Sequence, residues 1–180
     1  MRHVVAYMLV SLDGVAEGPD QFVFDFDEVM DDNLRRVIDA QDTVLLGHRM
    51  YDEWSAYWPT SDHEPFATFI NSVPKYVAAS RPFTPDWADT TVVDGSFEDC
   101  VRDLKGTEGG DIGVHGSLAL TRSLLAADLV DQLRLVVTPV AVGEGRRLWD
   151  GVRDVQRWEL EQVVGAPTGS LLVDYRRSGA

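Results

Sequence analysis

Three short segments pair small residues with cations or with the start of a helix. Gly47-His48-Arg49-Met50, Ser80-Arg81 and His115-Gly116-Ser117-Leu118-Ala119 each follow an apolar run. Glycine lets the backbone approach a ligand closely, serine caps a new helix, and the unpaired N–H groups of a first helical turn favour an anion. An arginine beside such a turn grips phosphate through forked hydrogen bonds. A long phosphorylated ligand lying across adjacent strand ends would use all three. Each also has a plainer reading: Gly116-Ser117 as a tight strand-to-helix turn, Arg81 as an exposed loop residue.

Two carboxylates are candidates for acid–base chemistry. Asp13 closes the first apolar run in Ser11-Leu12-Asp13-Gly14, and ligands of open α/β sheets gather at the carboxyl ends of strands. It suits an Asx turn equally well. Asp27 opens a helical pattern, where acids complement the helix dipole; catalysis is its second reading.

Other chemistries lack their motifs. The histidines His3, His48, His63 and His115 show no HExxH or HxH spacing, so no metal site is expected. There is no GxSxG elbow, no P-loop, and no GxGxxG after the first strand. The single cysteine, Cys100, excludes an internal disulfide or a cysteine-built zinc cluster.

Apolar periodicity predicts the elements that position these residues. Strands are expected over 3–11, 43–47, 75–80, 90–94, 111–114, 130–138, 157–164 and 170–176, and helices over 25–40, from 48 to about 57, 66–72, 97–105 and from Leu118 onward. Residues 15–24, with Gly18-Pro19, read as a loop that closes over something. In 130–138, Leu133, Leu135 and Val137 should face one way and Val136 the other. Residues 111–138 form a strand–helix–strand unit with a right-handed crossover between parallel strands. The two late strands imply an antiparallel edge, and so a mixed sheet in one domain, 1–180.

Lys plus Arg is 16 against 30 Asp plus Glu, a formal net charge of −14. That field repels nucleic acid and anionic membrane, so an anionic cofactor must be held by local dipoles and a few placed arginines. No run approaches the ~20 apolar residues of a membrane helix. The first residues read as a strand rather than a signal peptide, and a cytoplasmic location is expected.

Taken in order, Ser11-Leu12-Asp13-Gly14, Leu46-Gly47-His48-Arg49-Met50-Tyr51, Tyr76-Val77-Ala78-Ala79-Ser80-Arg81, Val114-His115-Gly116-Ser117, Leu129-Val130-Asp131-Gln132-Leu133 and Pro139 to Trp149 resemble the dihydrofolate reductase-like fold. More closely, the chain resembles the reductase C-terminal domain of the bifunctional riboflavin-biosynthesis deaminase/reductase and its stand-alone bacterial relatives, over almost its whole length. The resemblance implies an α/β, three-layer αβα architecture with a mixed, mostly parallel central sheet and an antiparallel C-terminal hairpin. It implies NADPH as cofactor, hydride transfer to a small heteroaromatic or carbonyl substrate, and a homodimer.

By the same resemblance, Gly47, His48, Arg49 and Met50 lie along the adenosine and pyrophosphate, and Ser80 and Arg81 lie near the 2′-phosphate. His115, Gly116, Ser117, Leu118 and Ala119 cradle the pyrophosphate, while Leu9 and Ala16 flank the nicotinamide. Tyr7, Phe22, Phe24, Trp54 and Trp58 line the substrate pocket. The chain departs from the pattern where His115 replaces a glycine and His48 an arginine. A side chain at 115 either crowds the pyrophosphate or, protonated, contacts it. No acid aligns unambiguously with the one that protonates folate; Asp13 and Asp27 are the candidates, and folate is not expected as substrate. A phosphorylated pyrimidine of the riboflavin pathway would need a second basic site, for which only Arg146 and Arg147 remain. The alternative reading is a non-catalytic small-molecule-binding or scaffold protein that retains the fold.

Overall fold

The first apolar run becomes the middle of a sheet. In the computed structural model, which describes residues 1–179, strand β1 (Val4–Val10) has six of its seven residues buried. A strand apolar on both faces must be covered on both faces. The other strands are β2 (Gln41–Gly47), β3 (Lys75–Ala78), β4 (Thr90–Val93), β5 (Asp111–His115), β6 (Gln132–Val137), β7 (Trp158–Gly165) and β8 (Leu171–Arg177). They form one sheet in the order β4-β3-β2-β5-β1-β6-β8-β7. The pairings from β4 through to β6 are parallel, and β8 and β7 close the sheet antiparallel. The mixed, mostly parallel sheet with an antiparallel end is the expected class. In the strand–helix–strand unit, β5 and β6 are parallel but not adjacent: β1 lies between them.

Five α-helices supply the covers. On one face Val4, Ala6, Met8, Leu45, Ile112, Val114 and Leu133 pack against Val101 of α4 (Phe97–Gly106) and Leu120, Leu124 and Leu125 of α5 (Leu118–Ala126). On the other, Val44, Leu46 and Val77 meet Ile38 of α1 (Glu28–Asp39), Tyr51 of α2 (His48–Tyr57), and Phe69 and Ile70 of α3 (Phe66–Ser72). Val5, Tyr7, Val136 and Leu172 meet Met30 and Val37 of α1. The expected alternation in β6 holds, with Leu133 and Val136 in opposite layers. Two of the boundaries that move bear on the site. Helix α1 starts three residues later than its pattern, because Asp27 caps it by accepting from the Met30 N–H at 3.0 Å. Strand β3 stops at Ala78, where its pairing with Gly47 and Val93 ends, so Ser80 and Arg81 lie beyond it. No helix among the described residues is long and apolar enough to cross a membrane.

Asp131 ties the start of the central strand to its surroundings. It accepts from the Val4 N–H at 2.7 Å and from Lys105 Nζ, near the end of α4, at 2.7 and 2.8 Å. Both charged side chains are 13% exposed, so removing one leaves the other half-desolvated without a partner. Replacing Asp131 with alanine is expected to cost about 2–4 kcal/mol, against a smaller loss for Asp131→Asn. Urea denaturation followed by circular dichroism measures both; a cost below about 0.5 kcal/mol for alanine would contradict this account.

Candidate functional site

The turns that follow β2 and β5 touch each other. Gly47 ends β2 and caps α2, and its N–H donates to Ser117 Oγ at 3.2 Å. Ser117 does stand at the N-cap of α5, but its hydroxyl caps nothing in its own helix; it bridges to the neighbouring strand instead. The contact is tight, since a Cβ at position 47 would come within 2.8 Å of Ser117 Oγ. Gly116 adopts φ of +67°, and a Cβ there would press to 3.4 Å from Met50 Cε.

Two clefts open around this junction. The longer, about 900 Å³, runs over Gly47, His48, Arg49, Met50, Ser80, Gly116, Ser117, Leu118 and Ala119, with Glu17 and Arg146 on its rim. The other, about 600 Å³, is lined by Tyr7, Leu9, Leu34, Trp54, Trp58 and Phe66, among others. Ala16, Pro19, Met50, Glu53 and Gly116 line both, so the clefts share a wall. Most residues assigned to the ligand sites by sequence therefore come together, divided between the two.

Several do not. Arg81 lines neither cleft, whereas Ser80 does. Phe22 is 1% exposed and buried after the Pro19–Gln21 turn, Phe24 is 72% exposed, and of these neighbouring phenylalanines it is Phe26 that lines the apolar cleft. Asp13 accepts from Ser11 Oγ at 2.6 Å, from the Val142 N–H at 3.0 Å and from the Gly143 N–H at 2.8 Å. The Ser11 hydroxyl, then those two N–H groups, hold its carboxyl far below the ordinary range. It braces the end of β1 against the 139–145 loop and lines neither cleft. Asp27 caps α1 and accepts from the Thr168 N–H at 3.0 Å. Desolvation works against its charge, but these N–H groups outweigh it and keep the carboxyl ionised. Asp27 forms the helix cap its pattern expects, whereas the Asp13 carboxyl binds the 142–143 backbone rather than closing an Asx turn.

His115 corrects the sequence in another way. Its imidazole neither crowds nor contacts the long cleft, because it turns into the core. It shares a 2.7 Å hydrogen bond with Gln41 Oε1, and packs against Tyr7, Phe66 and Phe69 with ring centroids 5.1–5.9 Å away. Gly113 makes the room: a Cβ there would collide with Gln41 Oε1 and come within 2.8 Å of His115 Nε2. Burial pushes the imidazole down to about 3, so it is neutral. His48 stacks on Phe83 at 4.4 Å. Arg49 pairs with Glu53 at 3.0 Å and Arg146 with Glu17 at 2.8 Å, both in solvent.

One group in the apolar cleft, Asp31, went unread in the sequence, whereas Tyr7 stands in that cleft as expected. Asp31, in the first turn of α1, is half-buried and has no side-chain hydrogen bond among the described residues. Its signal was a carboxylate three and seven residues before Leu34 and Ile38, on the apolar stripe of an amphipathic helix. Tyr7 is 6% exposed and its hydroxyl has no partner among the described residues. Burial, then the negative charges of Asp174 and Asp31, push the phenol above its ordinary value.

The sequence pattern of the RibD C-terminal domain matches residues 2–172. The chain belongs to the RibD C-terminal domain family. It is 30% identical to the uncharacterized protein YyaP of Bacillus subtilis (strain 168), over 90% of this chain and 87% of that one. This RibD C-terminal domain also superposes on a protein of Shewanella sp. PV-4 named for riboflavin biosynthesis, with a TM-score of 0.79 at 17% identity, covering 98% and 99% of the two chains. A dihydrofolate reductase of Enterococcus faecalis, described as complexed with NADP(H), superposes with a TM-score of 0.66 at 14% identity over 98% and 96%. The chain thus shares the fold of both proteins.

His115 sets a pH dependence. Its folded value of about 3 lies below the ordinary 6.5, so beneath pH 6.5 the unfolded chain takes up a proton that the folded chain refuses. Stability is expected to fall as pH drops through that window, by up to about 1.4 kcal/mol per unit. The carboxylates Asp13 and Asp27, with an ordinary value of 3.8, add their loss only at lower pH. Urea denaturation at neutral pH and at about pH 5 tests this: His115→Asn should flatten the slope, and an equal slope in both proteins would refute the assignment.

Proposed function

We propose that this protein is an NADPH-dependent reductase that passes hydride to a small aromatic or carbonyl substrate, working in the cytoplasm as a homodimer. The observation that carries the reading is the shared wall of the two clefts: a trough of about 900 Å³ over two helix starts opens beside an aromatic pocket at Ala16, Met50 and Gly116.

The residues present fit the cofactor. Gly116 leaves a cradle that a side chain would fill, and the N–H groups of Leu118 and Ala119, in the first turn of α5, have no intrahelical acceptor. They suit a pyrophosphate. The exposed pairs of Arg49 and Arg146 with glutamates are worth at most about 1 kcal/mol, so either arginine can exchange its partner for phosphate. With Arg81 outside the trough, Arg49 and Ser80 take the 2′-phosphate in this reading. When bound, the nicotinamide supplies the hydride. The chain holds the substrate ring against the shared wall, excludes water with Trp54, Trp58 and Phe66, and presents Asp31 and Tyr7 to the substrate's polar edge. Leu160, Val163 and Leu171 leave an apolar patch on one face of β7 and β8, 46–56% exposed, which supports pairing of two copies.

Titration with NADPH and with NADH, read through quenching of the five tryptophans, should saturate with a preference for NADPH. Gly116→Val is expected to weaken both nucleotides at least about tenfold, or 1.4 kcal/mol. Arg49→Ala should erode the preference for NADPH while sparing NADH. Failure of the unmodified protein to saturate with either nucleotide would leave the non-catalytic binding reading in its place.

A further inference from the structure

We propose that Glu17 is a built-in stand-in for a ligand phosphate: its carboxylate fills an anion seat on the rim of the long trough, and a phosphate group binds there by taking its place. The proposal rests on the reading of the trough as a dinucleotide site, and it names the residue that sets how tightly that site holds a phosphate.

The seat is a fork. Glu17 Oε2 accepts from the Arg146 backbone N–H at 3.2 Å, while Oε1 accepts from Arg146 Nε at 2.9 Å and lies 2.8 Å from Nη2. A guanidinium with a backbone N–H beside it grips phosphate oxygens as it grips carboxylate ones. The Arg146 side chain first, then its N–H, and last the charge of Arg49 hold the Glu17 carboxyl below the ordinary carboxylate range. Both arginines that line the trough therefore act on this one carboxylate. Two other acids on the lining are placed differently. Glu53 pairs with Arg49 one turn along the same helix at 3.0 Å, an ordinary helix-surface pair, and Glu98 accepts from the Ser123 hydroxyl at 2.9 Å.

The seat empties by rotation of one side chain. The backbone around Glu17 is anchored without the carboxylate: the Ala16 N–H donates to the Arg146 carbonyl at 3.0 Å, the Ser11 N–H donates to the Val15 carbonyl at 2.8 Å, and Val15, fully buried, bridges to Arg147. The Glu17 and Arg146 side chains, by contrast, are 40% and 49% exposed, and an ion pair so open to water holds its partners weakly. A phosphate group brings more charge and a further oxygen to the same fork, so it competes on favourable terms. The displaced carboxylate stays tethered beside the fork and keeps repelling the anion that replaced it. Glu17 thus weakens every phosphate ligand of the trough, and removing its charge while keeping its shape strengthens them.

Inorganic pyrophosphate is the probe, titrated by calorimetry into the full chain at low ionic strength with no nucleotide present. Glu17→Gln should bind it at least about fivefold tighter than the unmodified protein, and Glu17→Ala should reproduce the gain. Glu53→Gln makes the same change in net charge and should gain less than about twofold, because it empties no fork. Adding Arg146→Ala to Glu17→Gln should return the affinity to that of the unmodified protein or below. Unchanged or weaker binding in both Glu17 variants, an equal gain in Glu53→Gln, or a gain that survives the loss of Arg146 would overturn the proposal. The nucleotide titration fails separately: a pyrophosphate gain without NADPH saturation keeps the seat and sinks the dinucleotide reading, whereas NADPH saturation without a pyrophosphate gain keeps that reading and sinks the seat.

Discussion

Everything at the ligand end of the molecule depends on two strand-end turns being held in contact. The Gly47 N–H reaches Ser117 Oγ across 3.2 Å, with no room for a side chain on the glycine. That contact fixes the start of α2 against the start of α5, so residues nearly seventy positions apart form one floor. Because β2 and β5 are paired and parallel, both helices leave the same edge of the sheet, and their first turns converge. The trough over them and the pocket beside Trp54 are consequences of that geometry. Neither helix would aim at a shared ligand without it.

The electrostatics divide along the same wall. The trough has arginines, although each is already leaning on a glutamate, whereas the pocket has carboxylates and no fixed cation. In a chain of net charge −14 the background potential disfavours anions everywhere. Local dipoles at the α5 N-terminus and the exposed guanidinium of Arg49 oppose that field, and the carboxylates of the pocket add to it.

Much of the architecture was legible because it is written locally. The unbroken apolar run of β1, the 3-and-4 spacing of α1 and the limits Phe66–Ser72 of α3 follow from periods that a short window reveals. The turns at Gly47 and Gly116 were legible for the same reason. The duty of Asp13 was not, nor was the second contact of Asp27. The Asp13 carboxyl is occupied by the N–H groups of Val142 and Gly143, some 130 residues along the chain, and Asp27, besides capping its own helix, accepts from the Thr168 N–H. His115 was misplaced because a residue just before a ligand-binding turn can point to either side of its strand, and the choice was made by Gly113, whose missing side chain opens a slot for the ring. Phe22, Phe24 and Phe26 alternate like a strand, but the short turn at Pro19–Gln21 breaks that register and delivers only the last to the pocket.

The position of β1 has a cost in time. It precedes its neighbours by about a hundred residues, since the partners that flank it, β5 and β6, begin at residues 111 and 132. At about 5–20 residues per second of synthesis, the most apolar strand of the protein spends roughly 5–20 s without either neighbour. Its hydrogen-bonding edges and both apolar faces are open throughout that interval, which is the condition under which nascent chains stick to one another or to a holdase. The innermost strand of the folded protein is therefore its most vulnerable segment on the ribosome, and yield at high expression should be governed by that delay rather than by the stability of the finished sheet.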